Sequence, residues 1–371
     1  MEAKRIKAEN FRNIESADVE LTSGVNLLYG NNAQGKTNLL EAVCFFSLGK
    51  SFRGAKEGEF IRFDSKNASL SLDFCDSVRE QNIKIDFFRD KLRHVEQNGV
   101  KISRMSEMIG AFRAVLFCPE HLNIIKEGPS MRRGYLDVAI SQLRPLYLRS
   151  LQRYNHILAQ RNKLIKNAVA DRRSFDATVE FWSQQLAHEA ASITRSRLKY
   201  LAMVEQELKT CFAEMTGDRE IPSLEYDFSF KIDRTTAEDV KKCEEVFLSR
   251  LMSSHDREIS AGATLWGIHK DDVDIRLNGK SARLYASQGQ QRSLALGLKL
   301  SESRISMRDT GEEPVLLLDD VFSELDATRR EYLTERMKRG QVIMTACGDV
   351  DLGTSVNVIN VEKGNYLPYG K

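Results

Sequence analysis

The sequence predicts a split α/β fold. A head is assembled from both ends of the chain, an antiparallel β-subdomain lies in its first half, and a helical, short coiled-coil-like lobe is inserted between the halves. Three observations predict it. Near the start, the apolar run Val25-Asn26-Leu27-Leu28-Tyr29 leads through a glycine-bounded loop into Leu39, Leu40, Val43, Phe46 and Leu48, apolar at helical spacing. Residues 59–104 then alternate as strands do, and from about 120 to 215 the composition shifts to helix. A second buried-strand run, Pro314-Val315-Leu316-Leu317-Leu318-Asp319-Asp320, returns with Asp319 standing 289 positions beyond Gly30. The expected division is a head of 1–120 and 255–371 and a lobe of 121–254.

The loop Gly30-Asn31-Asn32-Ala33-Gln34-Gly35-Lys36-Thr37 reads G-x-x-x-x-G-K-T, the Walker A pattern. Gly30 and Gly35 let the backbone curl and aim its N–H groups inward at phosphate oxygens. The helix opening near Lys36 adds the positive end of its dipole. Lys36 would reach the β- and γ-phosphates of a nucleotide, and the Thr37 hydroxyl would ligate Mg²⁺. The order strand, loop, helix separates this segment from a glycine-rich turn that matches by chance.

Length and composition narrow the rest. A chain of 371 residues allows two or three domains and a core that needs no disulfides. A net charge of +2 gives no global basic field. Six cysteines are scattered with no C-x-x-C pair, which argues against a zinc site and fits a reducing, cytoplasmic setting. The opening Met1-Glu2-Ala3-Lys4-Arg5 leads into no long apolar run, so no signal peptide is expected. No stretch of about 18 apolar residues is present to span a membrane.

Taken in order, residues 4–11 alternate around Ile6, Ala8 and Phe11 and read as an edge strand, closed by a turn at Phe11-Arg12-Asn13. A second strand lies near Val19-Glu20-Leu21. After the first helix, Gly49-Lys50-Ser51-Phe52-Arg53-Gly54 is a basic loop, read more simply as solvated than as an approach to phosphate. Leu70, Leu72 and Phe74 alternate, as do Ile83, Ile85 and Phe87, and Asn98-Gly99 marks a tight hairpin. Ala114-Val115-Leu116-Phe117-Cys118 is a buried strand broken by Pro119.

In the helical region, Leu148, Leu151, Leu158 and Ile165 share a heptad-like stripe with Asn155 and Asn162. Ala190, Ile193, Leu201, Val204, Leu208 and Phe212 form a second stripe. With a turn at Asp171-Arg172-Arg173-Ser174, they predict an antiparallel helical hairpin in which the two asparagines set register. Between 126 and 209, fifteen Lys and Arg stand against eight Asp and Glu, a net of +7 that leaves −5 for the rest. This asymmetry fits either a solvated helical face or a polyanion partner. Under the second reading, Arg132, Arg133, Arg149, Arg153 and Arg161 are the candidates for DNA phosphate contacts.

Strands resume after Pro222, followed by a helix around 236–260. Asp272–Leu277 alternates into Asn278-Gly279, and with Arg283-Leu284-Tyr285 beyond it predicts a second hairpin. Ser287-Gln288-Gly289-Gln290-Gln291-Arg292 then precedes the apolar helix positions Leu294, Leu296, Leu298 and Leu300; Ser287 is a natural helix cap. The 314–320 run ends in two carboxylates, the Walker B pattern. Asp319 can hold Mg²⁺ through water, and Asp320 is the candidate general base, with Glu324 of Ser323-Glu324-Leu325-Asp326 as its rival. A base must lie within about 2.6–3.2 Å of the attacking water. Aspartate is one methylene shorter than glutamate, and a misplacement of about 1 Å costs on the order of a hundredfold in rate, so slow turnover is expected. Gln341–Thr345 and Val356–Ile359 are the last strands expected.

The 287–292 segment resembles the signature motif of ABC-type ATPases, in which a serine hydroxyl, backbone N–H groups and a helix dipole bind the γ-phosphate carried by the opposite subunit. A head split by a helical insert is similar to the SMC-like branch, and the insert is too short for a long SMC arm. The fold implied is an ABC/SMC-type P-loop ATPase head. Finer matches lie in Asn10-Phe11-Arg12-Asn13, Gly49–Arg53, Phe117-Cys118-Pro119-Glu120, Gly128–Arg133, His269-Lys270-Asp271-Asp272, Tyr285–Arg292 and Leu318–Val321. Together they resemble the RecF family over nearly the whole chain. The resemblance implies ATP and Mg²⁺ held by Arg12, Gly30–Thr37 and Asp319, with Ser287, Gly289 and Gln290 contributed across an ATP-dependent homodimer. It also implies binding to single- and double-stranded DNA at gaps and junctions, cooperation with RecO and RecR in loading the RecA recombinase, and a weak, DNA-stimulated ATPase. Ile268 departs from the proline usual before the histidine in that family, and Pro119-Glu120 and Thr345 depart from the glutamine and switch histidine of ABC ATPases at large. The alternative, an ABC-type transporter ATPase subunit, is opposed by the helical insert, the missing histidine and the basic lobe. A small-molecule P-loop kinase is opposed by the signature segment.

Overall fold

The computed structural model describes residues 1–217, 219–348 and 356–368. β1 (Glu2–Phe11) buries Ala3, Ile6, Ala8 and Phe11, shifting register between Ala3 and Arg5. β2 (Ile14–Glu20) pairs with it after a short turn. β3 (Val25–Tyr29) leads to α1 (Lys36–Leu48), after which β4 (Asn67–Cys75), β5 (Glu80–Phe88), β6 (His94–Gln97) and β7 (Val100–Lys101) run as an antiparallel meander to β8 (Ala114–Phe117). Helices follow: α2 (Asn123–Lys126), α3 (Pro129–Leu143), α4 (Pro145–Asn167) and the long α5 (Arg172–Thr216). β9 (Pro222–Asp227), α6 (Arg234–Glu238), α7 (Val240–Met252), α8 (His255–Ala261), β10 (Asp272–Leu277), β11 (Lys280–Ser281) and α9 (Ala282–Tyr285) come next. The chain closes with α10 (Gln288–Thr310), β12 (Val315–Asp319), α11 (Ala327–Met337), β13 (Val342–Ala346), β14 (Val356–Glu362) and β15 (Asn365–Pro368).

Two compact units result. The first comprises 1–122, 210–219 and 292–371, the second 123–209 and 220–291. The second boundary therefore falls far from the expected 254, because β10 pairs antiparallel with β9 and draws 255–291 into the helical unit.

The first unit holds two six-stranded sheets. One is antiparallel, in the order β2-β1-β4-β5-β6-β7, so β1 is an interior strand and not the edge expected from its alternation. The other has the order β15-β14-β3-β13-β12-β8, parallel throughout except for β15. Strands of a parallel sheet are covered on both faces and read as continuous apolar runs; β12 and β13 are buried at every position. Between the sheets lies a core that includes α1, where Phe45 meets Phe60 and Phe87 edge-on, both at 5.3 Å between ring centres. Leu296, Leu300, Leu333 and Met337 of α10 and α11 cover the other face of the parallel sheet.

In the second unit, α4 and α5 form the expected antiparallel hairpin around the 168–171 turn, closed by Ile165, Ala168, Phe175 and Val179. The seam of α4 differs from the heptad stripe. Tyr147, Tyr154, Ile157, Arg161 and Ile165 are buried, whereas Asn155 is exposed and Asn162 accepts from Thr264 N at 2.7 Å. Polar partners rotate the helix: the Tyr154 hydroxyl meets His269 Nδ1 at 2.6 Å, and Arg161 is enclosed by Glu258, Thr264 and Ser183. The helix expected at 236–260 is broken into α6, α7 and α8, with Asp233 and Asp239 capping the first two. The second Asn-Gly hairpin exists, but β11 has only two residues and Arg283-Leu284-Tyr285 turns into helix. No helix among the described residues is long and apolar enough to cross a membrane.

Candidate nucleotide site

Three parallel neighbours, β3, β13 and β12, deliver their carboxyl ends to one edge of the sheet, where α/β folds present ligands. The Gly30–Thr37 loop follows β3, Asp319 ends β12 with Asp320 directly after it, and Thr345 and Cys347 lie at the end of β13. These residues line an open cleft of about 940 Å³ within the first unit.

Glycine is required at both bounds of the loop. Gly30 has φ 153°, and a Cβ there would lie 2.3 Å from the Val361 carbonyl oxygen; Gly35 has φ 115°, with the Tyr366 hydroxyl 3.0 Å from its would-be Cβ. The β14–β15 hairpin backs the loop directly. Tyr366 donates its hydroxyl to Gly35 O at 2.9 Å, Gly364 N donates to Gln34 O at 2.9 Å, and Lys363 N donates to Gln34 Oε1 at 2.7 Å. The buried Lys36 donates from Nζ to Gly30 O at 2.7 Å and Asn31 O at 2.8 Å, and to Cys347 Sγ at 3.3 Å. Its ammonium is thereby held against the loop whose amides would surround a phosphate.

The carboxylates divide by environment. Thr37 Oγ1 donates to Asp319 Oδ1 at 2.8 Å, and Thr345 Oγ1 donates to the same oxygen at 2.9 Å while accepting from Asp320 N at 2.9 Å. Burial pushes the Asp319 carboxyl above its usual range, against the pull of those two hydroxyls. A desolvated carboxylate beside a threonine hydroxyl is an oxygen set suited to a hard divalent cation, whose charge would reverse that upward push. Thr37 and Asp319 therefore fit Mg²⁺. Asp320 is exposed in the same cleft and has φ 51°, left-handed backbone that aspartate tolerates better than most residues. The side chain of its rival, Glu324, lies outside the described residues, while Asp326 caps α11 by accepting from Arg329 N at 3.0 Å.

Arg12 lines the cleft too. Glu41, buried on α1, takes its guanidinium bidentately at 2.9 and 3.0 Å, and Arg12 Nη1 donates to Glu59 O at 3.1 Å. The 49–54 loop is more than a solvated turn. Ser51 also bonds Glu41, Arg53 Nη1 donates to Asn38 Oδ1 at 3.1 Å, and Phe52 and Arg53 line the cleft. Sequence reasoning missed Glu41, which sits on α1 just past the loop but meets Arg12 only through the fold, and it missed Cys347 and the β14–β15 backing of the loop, which come from distant segments without a motif of their own.

In the second unit, Ser287 is exposed at the head of α10, where Ser287 N donates to Gln290 Oε1 at 2.8 Å and Gln290 N to Ser287 Oγ at 3.3 Å. This reciprocal capping leaves the serine at the positive end of a 23-residue helix. Gln290 is anchored further by Glu220 at 2.8 Å, and Gly289 lies between them in sequence.

The DNA candidates separate sharply. Arg132 is buried against Asp272 at 2.7 and 2.9 Å, and Arg161 is wholly enclosed, pairing Glu258 at 2.6 Å. Neither reaches a phosphate, since a buried guanidinium is stable only where its partners are. This corrects both assignments. Arg133 is half-buried and donates to Asp271 O at 2.7 Å, whereas Arg149 and Arg153 of α4 are exposed.

A family model described as the RecF/RecN/SMC N terminal domain matches residues 2–365. The DNA replication and repair protein RecF of Ruminiclostridium cellulolyticum is 36% identical over 354 residues, covering 95% of this chain and 94% of that one. A solved structure described as the recombination mediator protein RecF-ATPrS in the RecFOR pathway is 34% identical, with a TM-score of 0.93 across 100% of this chain and 98% of that one. An Smc head domain from Pyrococcus furiosus, 15% identical over 99% of this chain and 95% of its own, has a TM-score of 0.55 and shares the fold alone. With its split P-loop head, and with relatives matched end to end, this chain belongs to the RecF family within the RecF/RecN/SMC class.

Proposed function

We propose that this chain is an ATP-dependent DNA-binding protein of recombinational repair and replication-fork maintenance. Two copies close on DNA at gaps or junctions when each binds ATP, cooperate with RecO and RecR in loading the RecA recombinase, and release on slow, DNA-stimulated hydrolysis. The observation that carries this reading is the cluster of Lys36, Thr37, Asp319 and Thr345 at the carboxyl edge of the parallel strands, fixed by bonds of 2.7 to 2.9 Å. The exposed Ser287 at a helix start supports the composite site, because its hydroxyl is available to a γ-phosphate on another copy.

Each group has a defined part. Lys36 and the loop amides offset phosphate charge, and Arg12 orients from the cleft wall. Mg²⁺, held by Thr37 and Asp319, would supply further neutralisation of the polyphosphate. Asp320 takes the proton of the attacking water, and its short arm keeps turnover slow. In a sizing column run with and without Mg²⁺-ATP, the chain should pass from monomer to dimer, and adding DNA should raise the rate of phosphate release. A monomer under saturating ATP, with DNA-insensitive hydrolysis, would contradict the reading.

A further inference from the structure

Phosphate chemistry accounts for one part of the cleft. Another part holds an aromatic ring that the phosphate loop does not use. Phe63 lines the cleft and is 93% exposed, the most exposed large apolar side chain among the described residues. Its backbone is nevertheless fixed. Arg62 N donates to Asn10 O at 2.8 Å, Arg62 pairs with Glu15 at 2.6 Å, and Ser65 N closes the turn on Arg62 O at 3.0 Å. Arg89 then ties three carbonyls of the same turn together, donating to Ser65 O at 2.9 Å, Arg62 O at 3.0 Å and Phe63 O at 3.2 Å. The turn is continuous with the bridge between Ile61 and Phe11, the residue before Arg12. The pinned backbone holds the ring, itself in water, at a fixed place on the cleft where a flat apolar surface can cover it.

We propose that Phe63 is the stacking platform for the nucleobase of the nucleotide whose phosphates the Gly30–Thr37 loop holds. The phosphate loop and the paired aspartates leave the base and the ribose without partners; of these the base is the flat aromatic surface that a ring can cover, and Phe63, Ile61 and Phe52 line the same cleft. Every base has a π-face, so stacking adds affinity with little choice between adenine and guanine. The inference rests on the nucleotide reading above, and its test separates the two.

Calorimetric titrations of Mg²⁺-ATP, Mg²⁺-GTP and Mg²⁺-tripolyphosphate into wild type, Phe63→Ala and Phe63→Trp provide that test. Phe63→Ala should weaken ATP and GTP alike by roughly tenfold and leave tripolyphosphate unchanged; Phe63→Trp should retain ATP. Unchanged ATP affinity in Phe63→Ala overturns the platform, as does an equal loss for tripolyphosphate, which would mean that the ring acts through the shape of the loop. Loss of DNA binding with nucleotide affinity intact would overturn it too, by giving the ring a different partner. If wild type binds neither ATP nor tripolyphosphate, the phosphate-loop reading fails and the platform falls with it. If tripolyphosphate binds as tightly as ATP, only the platform fails.

Discussion

In the first unit, Lys36, Arg12 and Asp320 stand around an open cleft, each held by a partner yet lining the space. In the second unit, three arginines of the basic segment turn inward. Arg161 and Arg197 are almost wholly buried, and Arg197 is met by Asp137 at 2.8 Å, Ile268 O at 2.9 Å and the Tyr147 hydroxyl at 3.1 Å. Arg132 joins them through Asp272. The comparison teaches that a net charge of +7 across 126–209 overstates what the surface offers a polyanion, since the partners of Arg132 and Arg161 lie outside that segment. Charge in the head is arranged around a ligand cleft, whereas much of the charge in the helical unit holds its own elements together.

The largest effect that would break this comparison concerns Arg161. Removing one member of a buried ion pair leaves the other uncompensated, at a cost of about 3–5 kcal/mol. Urea unfolding of Arg161→Ala should show that loss, and near wild-type stability would mean that the buried network is dispensable.

His269 supplies a second mark of a buried polar interior. Burial holds its imidazole down to about 4, with the bond to Thr264 O opposing. The folded state therefore binds fewer protons than the unfolded state between the ordinary value near 6.5 and about 4, and stability falls as pH falls through that window. The full drop is about 3 kcal/mol. His269→Gln should flatten the slope of unfolding free energy against pH between those limits; an unchanged slope would exclude His269 as its source.

Legibility in the sequence followed the same divide. The phosphate loop, Walker B strand and helical hairpin were readable because each is contiguous and announces itself by spacing. The register of α4 was not, because Tyr154 and Arg161 are drawn inward by His269 and Glu258, more than ninety residues away. The place of β1 inside its sheet depends on pairing with β4, and the reach of the helical unit to Gln291 depends on β9 meeting β10; no local pattern carries either fact. The supports of the cleft residues were hidden for the same reason, since Arg12 meets Glu41, Lys36 meets Cys347 and Gly35 meets Tyr366 only through the fold.

On the cleft side, Asp320→Asn should lower steady-state hydrolysis on the order of a hundredfold while ATP binding and DNA-bound dimers persist. Run beside Glu324→Gln, the assay assigns the base: wild-type turnover in Asp320→Asn with loss in Glu324→Gln would move that role to Glu324.

The smallest effect sharpens the surface of the helical unit. Arg149 and Arg153 are one helical turn apart and exposed on α4. Replacing either with alanine should leave stability within about 0.5 kcal/mol and reduce the log–log salt slope of DNA binding by roughly one. Unaltered slopes in both would remove this face from the DNA path.

The central claim is a nucleotide site completed by a second copy, and mixing two defective chains tests it most directly. Lys36→Ala lacks the phosphate-loop cation, and Ser287→Arg obstructs the signature helix while keeping its own loop. Sedimentation of each alone with Mg²⁺-ATP should give monomers. An equal mixture should give dimers that hydrolyse ATP, because one of the two sites then combines an intact Lys36 with an intact Ser287. Dimers formed by Ser287→Arg alone, or a mixture that stays monomeric and inactive, would contradict the account.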